Sequence, residues 1–207
     1  VLSPASASDT TEVIGAVGGS VTFRSHNTAT DGDAAFWSFG NKPIVTVALE
    51  DPQQPAFSND KYKTRFAVSK RGHVLTIFQL SMEDAGTYSV TIDGKKSTFT
   101  LRVYRKLAEP IVTCEAQSCL GSSCLISLRC SVPGADFGNV SYSWKVRDEP
   151  RDEEPMVLLV KKSSQDAPEP LTCTARNAVS SRNVTVTTPG ELCSGERGER
   201  AGKGGVG

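Results

Sequence analysis

Leu80-Ser81-Met82-Glu83-Asp84-Ala85-Gly86-Thr87-Tyr88-Ser89-Val90 lies where one strand-like run, His73 to Phe78, gives way to another, Thr87 to Ile92. Its Asp-x-Gly-x-Tyr spacing reads as a corner at which the chain passes from one sheet of a β-sandwich to the other. Tyr88, at the start of the second strand, can turn its hydroxyl back to backbone upstream. Gly86 permits the close approach, and Asp84 can reach a cation. Arg65, in Tyr62-Lys63-Thr64-Arg65-Phe66, is the expected cation. A Cys normally follows such a Tyr two residues later, and here that position is Val90.

At 207 residues the chain is too long for one sandwich of about 100 residues and suits two. Hydrophobic residues make up 38% and charged residues 22%, the balance of a soluble globular chain. The 23 basic and 23 acidic side chains leave no net field to draw nucleic acid or anionic lipid. No window approaches the ~20 apolar residues of a bilayer span, and no charged start with an apolar core marks a signal peptide. The expectation is a mature, soluble fragment. All six Cys fall between Cys114 and Cys193, so disulfides and an oxidising compartment are expected for the second half alone. Asn139-Val140-Ser141 and Asn183-Val184-Thr185 are glycosylation sequons, which favours a secreted or cell-surface protein.

In chain order, Glu12 to Phe23 reads as strand, Gly turn, strand. Val21, Phe23 and Ser25 share a face by the period of two, so Ser25 stands where a first core Cys would be, with Val90 as its partner position. Losing such a bridge costs about 2 to 5 kcal/mol, to be offset by packing around Trp37, Phe23, Leu75 and Val90. Ala34 to Phe39 is a strand with Trp37 inward and Phe36 and Ser38 outward. Asn41-Lys42-Pro43 turns into Ile44 to Leu49, an extra strand of the variable type of immunoglobulin sandwich. Asp93-Gly94 is a short-hairpin signal before Ser97 to Val103.

Tyr104 to Pro110 joins this domain to the next. In the second, Cys124, Ile126, Leu128 and Cys130 lie on one strand face. Ser141 to Lys145 carries an inward Trp144, and Leu171 to Ala175 carries Cys173. The order Cys130, Trp144, Cys173 is that of an immunoglobulin domain and pairs Cys130 with Cys173. The remaining four Cys allow three pairings. Cys124 with Cys193 and a local Cys114 with Cys119 are the favoured ones, with two free thiols or exchange with Cys193 left open. The fold class is therefore all-β, two tandem immunoglobulin-like sandwiches. Residues 1–105 form a V-type domain lacking its core disulfide, 106–193 a C2-type domain with disulfides, and 194–207 a Gly- and charge-rich tail expected to be disordered.

Taken together, Ser25 and Val90 without their disulfide, Met82 to Tyr88, Leu101-Arg102-Val103-Tyr104-Arg105-Lys106-Leu107, Cys124-x5-Cys130, Asn139 to Trp144 and Cys173 to Ser180 resemble the signalling lymphocyte activation molecule (SLAM) family of the immunoglobulin superfamily. Against that pattern Leu171 stands where a second-domain Tyr corner is expected, and Cys114 and Cys119 are additional. The charged run Arg147 to Pro155 reads as a solvated loop.

The resemblance implies a leukocyte surface receptor that adheres homophilically between cells through the front sheet of its first domain and modulates immune-cell activation, with a heterophilic ligand for another family ectodomain, or a soluble decoy form, as the alternative. Membrane anchoring in the full-length protein is expected outside this chain. By alternation the outward residues are Phe36, Ser38, Thr46, Ser89, Thr91, Thr98 and Thr100, with Asp93, Lys95 and Lys96 at the edge beside Lys42 and Glu50. An aromatic among small polar residues with mixed charges at the rim suits a weak, self-complementary contact.

An enzyme is not expected. His26 and His73 are far apart in sequence and lack metal-ligand spacing, the Cys are committed to bridges, and Asp84 with Arg65 reads as a structural pair. No nucleophile elbow or phosphate loop appears, and no cofactor is called for. Gly195 to Arg200 mimics two collagen triplets, too few for a triple helix, so the tail reads as a linker.

Overall fold

The computed structural model describes residues 10–26, 34–48, 55–147, 149–150, 157–163 and 169–194. The chain divides into two units, Val1–Arg105 and Lys106–Gly207. Both are all-β sandwiches of the immunoglobulin type. Glu50 and residues 195–207, which include nearly all of the expected linker, lie outside the described residues.

The first unit runs through β1 (Thr10–Ala16), β2 (Val21–Arg24), β3 (Ala34–Phe39), β4 (Lys42–Ala48), β5 (Ala56–Phe57), a short α1 (Asp60–Lys63), β6 (Phe66–Val68), β7 (Val74–Ile77), β8 (Gly86–Ile92) and β9 (Lys95–Tyr104). Its front sheet has the order β1-β9-β8-β3-β4-β5 and its back sheet the order β2-β7-β6. The run Glu12 to Phe23 splits between the two sheets: β2 pairs with β7, whereas β1 crosses to the front and joins β9 in parallel. Strand β4 starts at Lys42, two residues before the expected Ile44, and a bulge between Trp37 and Ser38 sets Ser38 opposite Pro43.

Phe23, Trp37, Tyr88 and Phe99 are essentially closed to solvent, and Phe23 stacks on Phe99 and packs at a tilt against Tyr88. These rings fill the space between the sheets around fully buried Val90 and Leu75. Ser25 lies one residue beyond β2, half-buried, with its N–H donating to the His73 carbonyl. The corner closes as its residue types require. Tyr88 Oη donates to the Asp84 carbonyl at 2.6 Å, and the Arg65 guanidinium grips the Asp84 carboxylate with two bonds of 2.7 and 2.9 Å. The Ser81 N–H also donates to Asp84. Gly86 sits at φ +147, where an added Cβ would fall 2.6 Å from the Phe39 ring.

The second unit has β10 (Ile111–Leu120), β11 (Ser123–Ser131), β12 (Ser141–Val146), β13 (Glu149–Pro150), β14 (Val157–Ser163), β15 (Leu171–Arg176), β16 (Ser181–Val186) and α2 (Pro189–Ser194). The sheets are β10-β11-β14 and β13-β12-β15-β16. Cys130 and Cys173 are bonded and fully buried beside Trp144. Asn177 closes the β15–β16 turn, its Oδ1 accepting from the Val179 and Ser180 N–H groups and the Ser180 hydroxyl.

The two other expected pairings are corrected. Cys193 bonds Cys114, not Cys124, and Cys119 bonds Cys124, not Cys114. The cause is a bulge in β10 between Cys114 and Ala116. Cys114 opposes Leu128 and shares its inward face, so simple alternation would send Cys119 to the other side. The extra residue reverses the parity and lands Cys119 directly opposite Cys124. Cys114 then packs against the core within reach of Cys193 on α2.

Candidate functional site

The site is the outer face of the front sheet, built by strand register. One cross-strand row reads Thr46, Phe36, Thr91, Lys96, and the next reads Pro43, Ser38, Ser89, Thr98. Alternation along β3 buries Ala35 and Trp37 and turns Phe36 outward, where it keeps 55% of its surface exposed. Thr46, Thr91 and Thr98 are half-buried around it. Farther along β9, Arg102 pairs with Glu12 of β1 at 2.8 Å. The face offers one large aromatic on a floor of hydroxyl-bearing side chains, with charge toward its margins.

Three expectations for this face change. Ser89 is on the outer face yet only 7% exposed, because it is small, flanked by neighbouring strands, and held by Ser38 through a hydroxyl pair at 2.8 Å. It shapes the floor and is poorly placed to touch a partner. Lys42 and Lys95 are exposed but do not share an edge. Lys42 opposes Phe39 and Lys95 opposes Ile92, which itself faces Ala35, so the two lysines stand four residues apart along β3, about 13 Å. Lys95 also belongs to the face of buried Ile92 rather than to that of Phe36. Asp93 is exposed in the turn, at φ 50 beside Gly94 at φ 69, the paired positive angles of a tight hairpin. Glu50 lies outside the described residues.

Lys96, expected only as an edge residue, is exposed in Phe36's own row. The signal was available: a two-residue turn at Asp93-Gly94 forces Ile92 opposite Lys95 and hence Thr91 opposite Lys96.

Beneath this face, burial alone would raise the Asp84 carboxyl, but the hydrogen bonds from Arg65 and Ser81 outweigh it and hold it below its ordinary value. Asp84 in turn raises Arg65, and burial pushes the Tyr88 hydroxyl up. At neutral pH the charged forms of Asp84 and Arg65 and the neutral form of Tyr88 are the favoured ones. His26 is exposed, with Nε2 2.8 Å from Thr11 Oγ1 and its ring stacked on Phe99, and His73 is half-buried. Among the described residues no group of three His, Cys, Asp or Glu side chains is placed to hold a metal ion. In the second unit Asn139, just before β12, and Asn183, on β16, are both exposed.

The immunoglobulin V-set domain model matches residues 8–105. Human SLAM family member 5 is 30% identical over 158 residues, 73% of this chain and 41% of that protein. The human T-lymphocyte surface antigen Ly-9 is 35% identical over 182 residues, 80% of this chain and 26% of that protein. The chain belongs to the SLAM family. It spans less than half the length of either of these relatives. A solved CD2-binding domain of CD58 (lymphocyte function-associated antigen 3) shares the fold, with a TM-score of 0.61 and 18% identity over 86% of this chain and 97% of that one. Phe36 and the hydroxyl floor around it lie within the residues that the V-set model matches, and both sequons lie after them.

Proposed function

We propose that this SLAM-family chain is the extracellular portion of an immune-cell surface receptor that adheres to a second copy of itself on an opposing cell through the β1-β9-β8-β3-β4-β5 face of its first domain. The observation that carries the reading is Phe36, a large aromatic left 55% exposed near the middle of the sheet, with Thr46, Thr91 and Lys96 in its own row and Pro43, Ser38, Ser89 and Thr98 in the next. Residues 1–105 contain no N-glycosylation sequon, so no N-linked sugar is attached to the domain that carries that face. A two-fold contact sets each Phe36 against the partner's hydroxyl floor, and the hydroxyl groups satisfy one another as water leaves. With one aromatic anchor per copy the contact is weak in solution and gains strength from many copies on apposed membranes.

Lys96 favours a second reading. It is the charged member of Phe36's row, so a different family ectodomain presenting an acidic side chain at that height fits the same face. Fluorescent beads coated with the chain separate the two. Self-clustering that Phe36→Asp abolishes supports the homophilic reading, and clustering only with beads bearing another family ectodomain supports the second. No clustering with any of them overturns both.

A further inference from the structure

We propose that Cys119–Cys124 is a reversible thiol–disulfide exchange site for an extracellular dithiol oxidoreductase, opened and closed while the second domain stays folded. The three bridges of that domain differ in what protects them. Cys130 and Cys173 are fully buried, out of reach of any protein thiol unless the sandwich opens. Cys114 and Cys193 are half-buried, pack against the core and close a span of 79 residues, tying α2 to β10. Cys119 is exposed at the far end of the β10–β11 hairpin, its bridge to Cys124 spans only 5 residues, and the next residue, Leu120, is 90% exposed.

Two consequences follow from this placement. The conformational freedom that a bridge removes from the unfolded chain grows with the span it closes, so the 5-residue ring contributes least to stability and its opening is the one the fold best tolerates. The register on either side, Gln117 with Ile126, Ser118 with Leu125 and Leu120 with Ser123, is fixed by backbone pairing and by β14 on the outer edge of β11. The freed thiols therefore stay opposed, and the oxidised, disulfide form of the same oxidoreductase re-forms the bond by taking two electrons from them through the same mixed disulfide.

The exchange balances. The oxidoreductase's attacking thiolate displaces at Cys119 Sγ, breaking the bond to Cys124 and forming a mixed disulfide, while Cys124 leaves as a thiolate and takes a proton from solvent. The enzyme's second thiolate then attacks the mixed disulfide on the enzyme's own sulfur and releases Cys119. Two electrons pass from the enzyme's dithiol to this pair.

The test treats the full glycosylated chain with thioredoxin, thioredoxin reductase and NADPH. Thiols are trapped with N-ethylmaleimide and each Cys is mapped by mass spectrometry. Cys119 and Cys124 are expected to label at least tenfold faster than the other four, with circular dichroism unchanged. A thioredoxin lacking its resolving Cys is expected to be captured by the chain and not by a Cys119→Ser, Cys124→Ser variant. Labelling of Cys114, Cys193, Cys130 or Cys173 at the same rate, labelling only after denaturation, or capture that persists in the double variant would overturn the proposal.

Discussion

The two domains carry one architecture on different supports. The first holds its sheets together without a disulfide. Among the described residues seventeen buried ones, Phe23, Trp37, Tyr88 and Phe99 included, form one core, and the Arg65–Asp84–Tyr88 corner fastens its base. The second has a described core of eight, two of which are the bonded Cys130 and Cys173, and buried Leu171 stands at its corner. Aromatic volume and a caged ion pair do in one domain what covalent bonds do in the other.

The largest expected effect breaks that contrast from the covalent side. Replacing Cys130 and Cys173 with Ala should cost the second domain about 4 kcal/mol and leave the first domain's transition in place. Calorimetry under non-reducing conditions resolves the two.

Next comes the ion pair. Asp84→Asn should destabilise the first domain by about 2 kcal/mol, less than a fully buried pair because the Arg65 side chain is 31% exposed. The sign of the pH dependence follows from the same group. Its folded carboxyl is held below the ordinary value, so its contribution is complete above an unfolded pKa of about 4 and is lost as pH falls through the folded value. Thermal melts from pH 7 down to pH 2 should show the first domain losing stability below about pH 4, with a shallower fall in Asp84→Asn.

Tyr88→Phe removes the bond to the Asp84 carbonyl inside the core and should cost about 1 kcal/mol, read from urea unfolding. Smallest of all, Phe36→Asp should change stability by less than about 0.5 kcal/mol, because that ring contributes little to the core, and yet abolish self-association. A large stability loss in that variant would place Phe36 among the structural residues instead.

The corner and the Cys130, Trp144, Cys173 order were legible because each depends on neighbours along the chain or on a fixed spacing about one core. Phe36 was legible from alternation on either side of Trp37. What stayed hidden depends on register. One inserted residue at Cys114/Ala116 exchanges the partners of four cysteines, and nothing local to β10 announces it. Lys42 and Lys95 looked like neighbours because both flank hairpins, but those hairpins close opposite ends of the sheet. Ser89 points outward as alternation requires and is covered all the same, since a small side chain in a sheet interior is overtopped by its neighbours.

The measurement that bears most directly on the account is sedimentation equilibrium of the glycosylated chain and its Phe36→Asp variant over a wide concentration range. Homophilic binding through Phe36 predicts a reversible monomer–dimer equilibrium in the first and a monomer at every concentration in the second. A chain that stays monomeric throughout, or a dimer that survives the substitution, would contradict homophilic binding through the front face.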